Sequence, residues 1–162
     1  MAVIHIDDIL ILKATLSDTR GNVAGSPCRV IAMPKAMTLY DLAEMITAGF
    51  GFELDHTFGF YDNIASPPHS REAYEMLSDM RGNSGYPGVK KTRLFRVFTD
   101  PGKKMLFLFD YEAGWRFIVE LVDIEPCDPG IRYPKIVESR GIPPRQYPLP
   151  EMKDDNDDND NA

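Results

Sequence analysis

Cysteine, histidine and tryptophan are scarce in this chain: two, three and one in 162 residues. Cys28 and Cys127 lie far apart in the sequence, which excludes a disulfide framework and any paired-cysteine metal motif. Neither carries the local signature of an activated thiolate, so both are expected to be ordinary cytosolic thiols. His5, His56 and His69 fall on separate predicted elements, none at a familiar ligand spacing from a Cys, another His or a carboxylate. No metal and no other cofactor is therefore expected. There is no Gly-x-Ser-x-Gly elbow, and Gly82, Gly85 and Gly88 lack the Gly-Lys-Ser/Thr ending of a phosphate loop, so neither serine hydrolysis nor nucleotide hydrolysis has its motif. No apolar run approaches the roughly 18 to 20 residues a spanning helix needs. No basic stretch leads into an apolar run near the start, and the expected setting is cytoplasmic, away from membranes.

Charge of one sign is also scarcer than it first looks. The formal net charge of −7 divides into −5 on Glu151–Ala162 and −2 on everything before it. The body is nearly neutral, so repulsion of nucleic acid resides mainly in the ending. Asp-Asp-Asn repeats cannot bury enough apolar surface to offset chain entropy, and residues 151–162 are expected to form a disordered acidic tail. The rest, 43% hydrophobic and 10% aromatic over the chain, is long enough for one domain, residues 1–150, that buries roughly two-thirds of its unfolded surface.

What is present is patterned. Ile9 to Leu16 alternates, with Leu10, Leu12, Ala14 and Leu16 on one face, and predicts a strand. Asp18 to Pro27 is a loop by composition, and Cys28 to Met33 a second strand closed by Pro34, pairing with the first. Thr38 with Asp41 forms a near capping box ahead of a helix over 39–48, whose stripe is Leu39, Leu42, Ala43 and Ile46. His56 to Tyr61 predicts a strand. Pro67 and Pro68 open a second predicted helix carrying Ala73, Met76, Leu77 and Met80. Leu94, Phe95, Val97 and Phe98 favour a short helix by their period.

Lys104 to Phe109 and Arg116 to Ile124 then predict two long strands, a hairpin turning near Ala113 and Gly114 at the centre of the sheet. From Pro126 on, proline becomes dense and predicts an extended segment wrapped over the domain rather than another regular element. The fold class expected is α+β: a mixed or antiparallel sheet with two or three helices, a strand-strand-helix-strand opening and a central hairpin near 104–124.

Two regions could carry recognition. Around the hairpin, Asp110, Glu112, Trp115, Arg116 and Glu120 could converge at one end of the sheet, where an indole supplies area and a carboxylate supplies orientation. The same residue types also serve any turn and any core plug. Lys90, Lys91, Arg93 and Arg96 interleave with Phe95 and Phe98, a pattern suited to phosphate contact with base stacking but equally to a solvated basic face over an aromatic core.

The motifs P-C-R-V-I-A-M-P, T-L-Y-D-L-A-E-M-I-T-A-G-F-G-F-E-L-D-H-T-F-G-F, F-D-Y-E-A-G-W-R-F-I-V-E and Y-P-K-I-V-E-S-R-G-I-P-P occur in that order between Ile9 and Pro144. Together they resemble the plasmid-encoded open-reading-frame-three-like family, small proteins of plasmids, mobile elements and microbial chromosomes with no assigned activity. The resemblance carries over to Arg29, Leu39, Leu42, Gly51, His56, Phe58, Asp110, Trp115, Glu120, Tyr133, Pro134, Pro143 and Pro144. It implies an α+β fold with a helix across one face of the sheet. Where the family commonly has a Gly-Asp pair with further acids before the Trp, this chain has Glu112, Ala113 and Gly114. The family's His after the Trp is here Phe117, and its acidic, glycine-rich ending is replaced by Arg145, Gln146 and Tyr147. These departures lower the enzyme reading. The expected function is a non-catalytic binding or interaction module of plasmid or mobile-element biology, engaging a macromolecular partner through Arg29, His56, Asp110, Trp115 and Glu120. The alternatives are a nucleic-acid accessory protein using Lys90, Lys91, Arg93 and Arg96, and a hydrolase built on His56, Asp110 and Glu120.

Overall fold

The computed structural model describes residues 8–81 and 85–147; His5 and the acidic ending lie outside the described residues. The first strand, β1 (Ile9–Ser17), buries Leu10, Leu12 and Ala14 and exposes Lys13, as strict alternation requires. Its antiparallel neighbour β2 (Cys28–Pro34) sets Met33 opposite Leu10 and Ile31 opposite Leu12, and Pro34, with no amide to donate, ends it.

Helix α1 (Leu39–Gly49) starts where Thr38 Oγ1 accepts the Asp41 N–H at 3.2 Å while the Asp41 carboxylate accepts the Thr38 N–H at 2.9 Å. Two otherwise orphaned donors are satisfied, and the helix lays Leu39, Leu42, Ala43 and Ile46 on the sheet. Gly51, at φ 72°, turns the chain away from the helix end.

The remaining elements are β3 (Phe58–Tyr61), a 3-10 turn at Pro67–His69, β4 (Ala73–Glu75), α2 (Met76–Arg81), α3 (Leu94–Val97), β5 (Lys104–Phe109), β6 (Trp115–Glu125) and β7 (Lys135–Arg140). The strands form one sheet in the order β4-β3-β5-β6-β1-β2-β7, and every neighbouring pair is antiparallel. No described helix is long and apolar enough to cross a membrane.

The sheet has an inner face under α1 and an outer face away from it. On the inner face Phe107 meets Phe60 at 5.0 Å, Phe58 at 5.4 Å and Phe117 at 5.8 Å between ring centroids, and Phe117 meets Phe50 beyond the end of α1 at 4.8 Å. The outer face holds a second, smaller apolar cluster of Tyr61, Ala73 and Leu106, with Ile64, Tyr86 and Leu108 packed against it.

Three expectations are corrected. The helix predicted from Pro67 to Met80 is broken by β4, because Ala73, Tyr74 and Glu75 pair with the free side of β3; sheet pairing outweighs a helical period there. Leu77 and Met80, counted in that stripe, are 41% and 59% exposed. The predicted strand at His56 begins at Phe58. The proline-dense segment is not wholly irregular: between Pro134 and Pro143 six residues without proline form β7, an edge strand on β2.

Phe107 is fully buried and touches four inner-face phenyl rings, those of Phe58, Phe60, Phe109 and Phe117, so Phe107→Ala is expected to cost about 3–5 kcal/mol in urea unfolding monitored by circular dichroism. A cost below about 1 kcal/mol would show that the aromatic stack is not the centre of the core.

Candidate functional site

The β5–β6 hairpin ends in a turn that begins at Asp110, the only described non-glycine residue at positive φ (59°). Its carboxylate oxygen Oδ1 accepts the Ala113 N–H at 3.2 Å and its carbonyl accepts the Gly114 N–H, bonds of the kind that let Asp occupy the left-handed region. Asp110 is nearly buried, and its Oδ2 stands 3.5 Å from His56 Nε2. The same imidazole nitrogen is 3.5 Å from Asp55 Oδ1 and 3.0 Å from the Tyr147 hydroxyl.

Tyr147 in turn donates to Asp55 Oδ2, and Gln146 clamps the same loop: its Oε1 accepts the Glu53 N–H at 2.7 Å and its amide donates to the Glu53 carbonyl at 3.0 Å. The Tyr147 hydrogen bond holds the Asp55 carboxyl below its usual range, and the paired carboxylate pushes the Tyr147 phenol up to about 12. Neither Gln146 nor Tyr147 was among the residues singled out in the sequence. Their signal was the departure from the family ending at Arg145, Gln146 and Tyr147, which is where this chain docks back onto the His56 loop.

The other hairpin residues go elsewhere. Trp115 points to the inner face, its ring 4.8 Å from Phe52 in an edge-on contact, with its buried indole N–H lacking a partner among the described residues. Glu120 faces outward, on the opposite side of the sheet from Trp115, between Lys13 and Lys104. It is 3.6 Å from the Lys104 amine, and five residues along β6 place it about 16 Å from Trp115. The constellation His56, Asp110 and Glu120 is therefore not assembled. Arg29 lies at the end of α1, buried: its Nε donates to the Gly49 carbonyl at 2.7 Å, and Nη1 to those of Cys28 and Arg140 at 2.8 and 2.9 Å. With its guanidinium 4.9 Å from the Phe50 ring centre, Arg29 ties α1 to β2 and β7.

Lys90, Lys91, Arg93 and Arg96 are exposed. Lys90 lies 4.9 Å over the Tyr40 ring, Arg93 donates to the Ala36 carbonyl at 2.8 Å, and Arg96 and Lys35 both lie over Phe95. Of the rings that base stacking would use, Phe98 is buried in the core, and Phe95 and Tyr40 lie under the chain's own cations.

On the outer face, one residue out of phase with Asp110 and Trp115, Tyr111 and Arg116 line a cleft of about 390 Å³. Tyr61 and Leu108 line it from neighbouring strands, Pro67, Pro68 and Tyr86 from the connecting loops, and Glu75 from β4. Tyr61 donates to Glu75, and its hydroxyl is 2.8 Å from that of Tyr111. Gly59 makes room for this: a Cβ there would lie 2.6 Å from the Tyr61 hydroxyl and 2.8 Å from its ring. Burial, then the bonds to Glu75 and Tyr111, raises the Tyr61 phenol far above its usual range, and burial raises Tyr111 to about 12.

The profile of the family described as Plasmid pRiA4b ORF-3-like protein matches residues 8–147, and the chain belongs to that family. It is similar in structure to a crystallised protein of unknown function, MM3350 from Methanosarcina mazei Go1. The TM-score is 0.65 at 23% identity, over 83% of this chain and 71% of that one, a likeness of fold. No curated protein matches the chain.

Two outcomes follow from this geometry. Asp110→Ala is expected to lose about 2 kcal/mol in urea unfolding, from left-handed backbone strain and the lost bond to Ala113, while Asp110→Asn stays within about 0.5 kcal/mol of wild type; equal losses would sink the turn argument. Tyr61 and Tyr111 are raised in the folded state, so their contribution is complete below the ordinary phenol value of 10.0 and is lost as pH rises past it. Tyr61→Phe should flatten the decline in unfolding midpoint between about pH 10 and 12; an unchanged alkaline slope would contradict the assignment.

Proposed function

We propose that this member of the Plasmid pRiA4b ORF-3-like family is a non-catalytic binding module of plasmid or mobile-element biology, and that its seat is the tyrosine-lined cleft on the outer face of the hairpin. The observation that carries this is the convergence of three tyrosines, two prolines and Leu108 around one glutamate and one arginine in a single concavity. An apolar cleft of a few hundred Å³ with a small number of convergent polar groups is the usual form of a ligand site. The hairpin turn supports it, since the Asp110 bonds that hold the turn also fix where Tyr111 starts.

Binding rather than hydrolysis is supported by what surrounds His56. Its Nε2 is shared among Tyr147, Asp55 and Asp110, while Glu120 sits on the other face of the sheet. A general base needs a proton to take and a place for the substrate beside it; this imidazole is instead part of the clamp that holds Gln146 and Tyr147. A nucleic-acid role for Lys90, Lys91, Arg93 and Arg96 has less support, because their neighbouring rings are already capped.

The test is a fragment screen against the full chain by amide NMR. Shifts are expected to map to Tyr61, Tyr86, Leu108, Tyr111 and Arg116, and to vanish in a folded Tyr111→Ala variant. Fragment binding confined to other surfaces, or none at all, would overturn the proposal.

A further inference from the structure

Resting on the cleft being the seat, its charges and hydrogen-bond directions narrow what it takes. Arg116 makes no ion pair and no side-chain hydrogen bond among the described residues. Its cross-strand neighbours explain why: Leu108 on one side and Ser17 on the other. Lys104, on the adjacent strand of the same outer face, does have an acid, Glu120. Asp18, which lines the neighbouring hollow together with Arg116, gives its oxygens to the Arg20 and Asn22 backbone N–H groups and the Asn22 amide. A half-buried guanidinium with five donors and no acceptor is a recognition group for a planar, bidentate anion.

Glu75, across the cleft, makes no ion pair with it among the described residues; its carboxylate accepts from the Tyr61 hydroxyl instead. A phenol has one proton, so in the 2.8 Å contact between the two tyrosine hydroxyls Tyr111 is the donor and Tyr61 the acceptor. The relay therefore runs from Tyr111 through Tyr61 to Glu75, and it leaves the Tyr111 oxygen with lone pairs only. The cleft thus presents a donor fork at Arg116, an acceptor at Tyr111, and between them the apolar surfaces of Tyr61, Tyr86, Leu108 and the Pro67–Pro68 pair.

We infer that the cleft binds a small molecule with a flat, apolar ring that carries one carboxylate or similar planar anion for Arg116 and a hydrogen-bond donor for Tyr111. Three tyrosines beside a glutamate would otherwise suit an organic ammonium ion, but the unpaired guanidinium in the same cleft repels one. Volume agrees: about 390 Å³ holds a substituted single ring or a fused pair and is too small for a folded macromolecular surface.

Three probes of one shape separate the possibilities on the full chain: 4-hydroxybenzoate, its neutral analogue 4-hydroxybenzamide, and the cation tyramine, each titrated by amide NMR. The benzoate is expected to shift the cleft resonances and to bind roughly tenfold or more tightly than the amide. Arg116→Gln should remove that preference, and Arg116→Lys, which keeps the charge without the fork, should restore part of it. Arg116 is not in the core, so both variants should fold, which their amide spectra will show. Equal binding of benzoate and benzamide, or tighter binding of tyramine, overturns this inference and leaves the cleft as a seat. Absence of any cleft shift with all three probes, in a chain whose cleft does accept other fragments, overturns it as well. A cleft that accepts neither these probes nor any fragment fails both readings.

Discussion

The register of the β5–β6 hairpin governs most of this molecule. Pairing Phe107 with Phe117 and Phe109 with Trp115 sends four aromatic rings to the inner face, while the alternate pairs, Leu106 with Ile118 and Leu108 with Arg116, line the outer one. Because side chains alternate with period 2, a slip of one residue in either strand would send that strand's core residues to the outer face and its outer residues into the core. The hairpin turn holds that register. Asp110 takes a left-handed conformation stabilised by its own bonds to Ala113 and Gly114, and β3 and β1 then extend the sheet from either side of the hairpin.

Around that centre the two faces serve different ends. The inner face is closed by α1, with Phe50 folded onto Phe117 and Arg29 bonded to carbonyls from α1, β2 and β7. A buried guanidinium is tolerated there because carbonyl oxygens surround it and one belongs to a helix C-terminus, where the macrodipole favours a cation. The outer face is closed only in part, by the segments around Pro67 and Tyr86 that flank the edge strand β4, and the concavity they leave is the cleft. Family membership says which proteins share this architecture; it does not assign a reaction, and the chemistry has to be read from the residues of this chain.

The residues singled out in the sequence divide along the same line. Asp110 and His56 do meet, at 3.5 Å, but Trp115 turns inward and Glu120 outward, so the group expected at one end of the sheet is split by the strand alternation that the sequence itself displays. Counting Trp115 as position one, Glu120 is position six, and an odd separation in a strand puts two side chains on opposite faces. Arg29 was conspicuous for a reason, which is a fastening role beneath the helix. Of the cleft residues, Arg116 was among the hairpin positions singled out, whereas Tyr111 beside them was overlooked, since a turn tyrosine carries no motif.

From sequence alone came what local periodicity and local chemistry determine: the alternating β1, the capped α1 with its buried stripe, the short helix at Leu94, the two long hairpin strands, and the family to which the chain belongs. Each of these elements is decided within a dozen residues by alternation, helical period or a capping pair, and the family by the order of motifs from Ile9 to Pro144. Tertiary structure decided the rest. Ala73 to Glu75 became a strand because β3 had a free edge, and Lys135 to Arg140 became one because β2 did. Gln146 and Tyr147 found Asp55 and His56 across some ninety residues of chain, and Tyr61, Glu75, Tyr111 and Arg116 came together from three strands and a turn. No local pattern encodes such meetings, since backbone pairing and long-range hydrogen bonds depend on which edges and groups the folded sheet leaves unsatisfied.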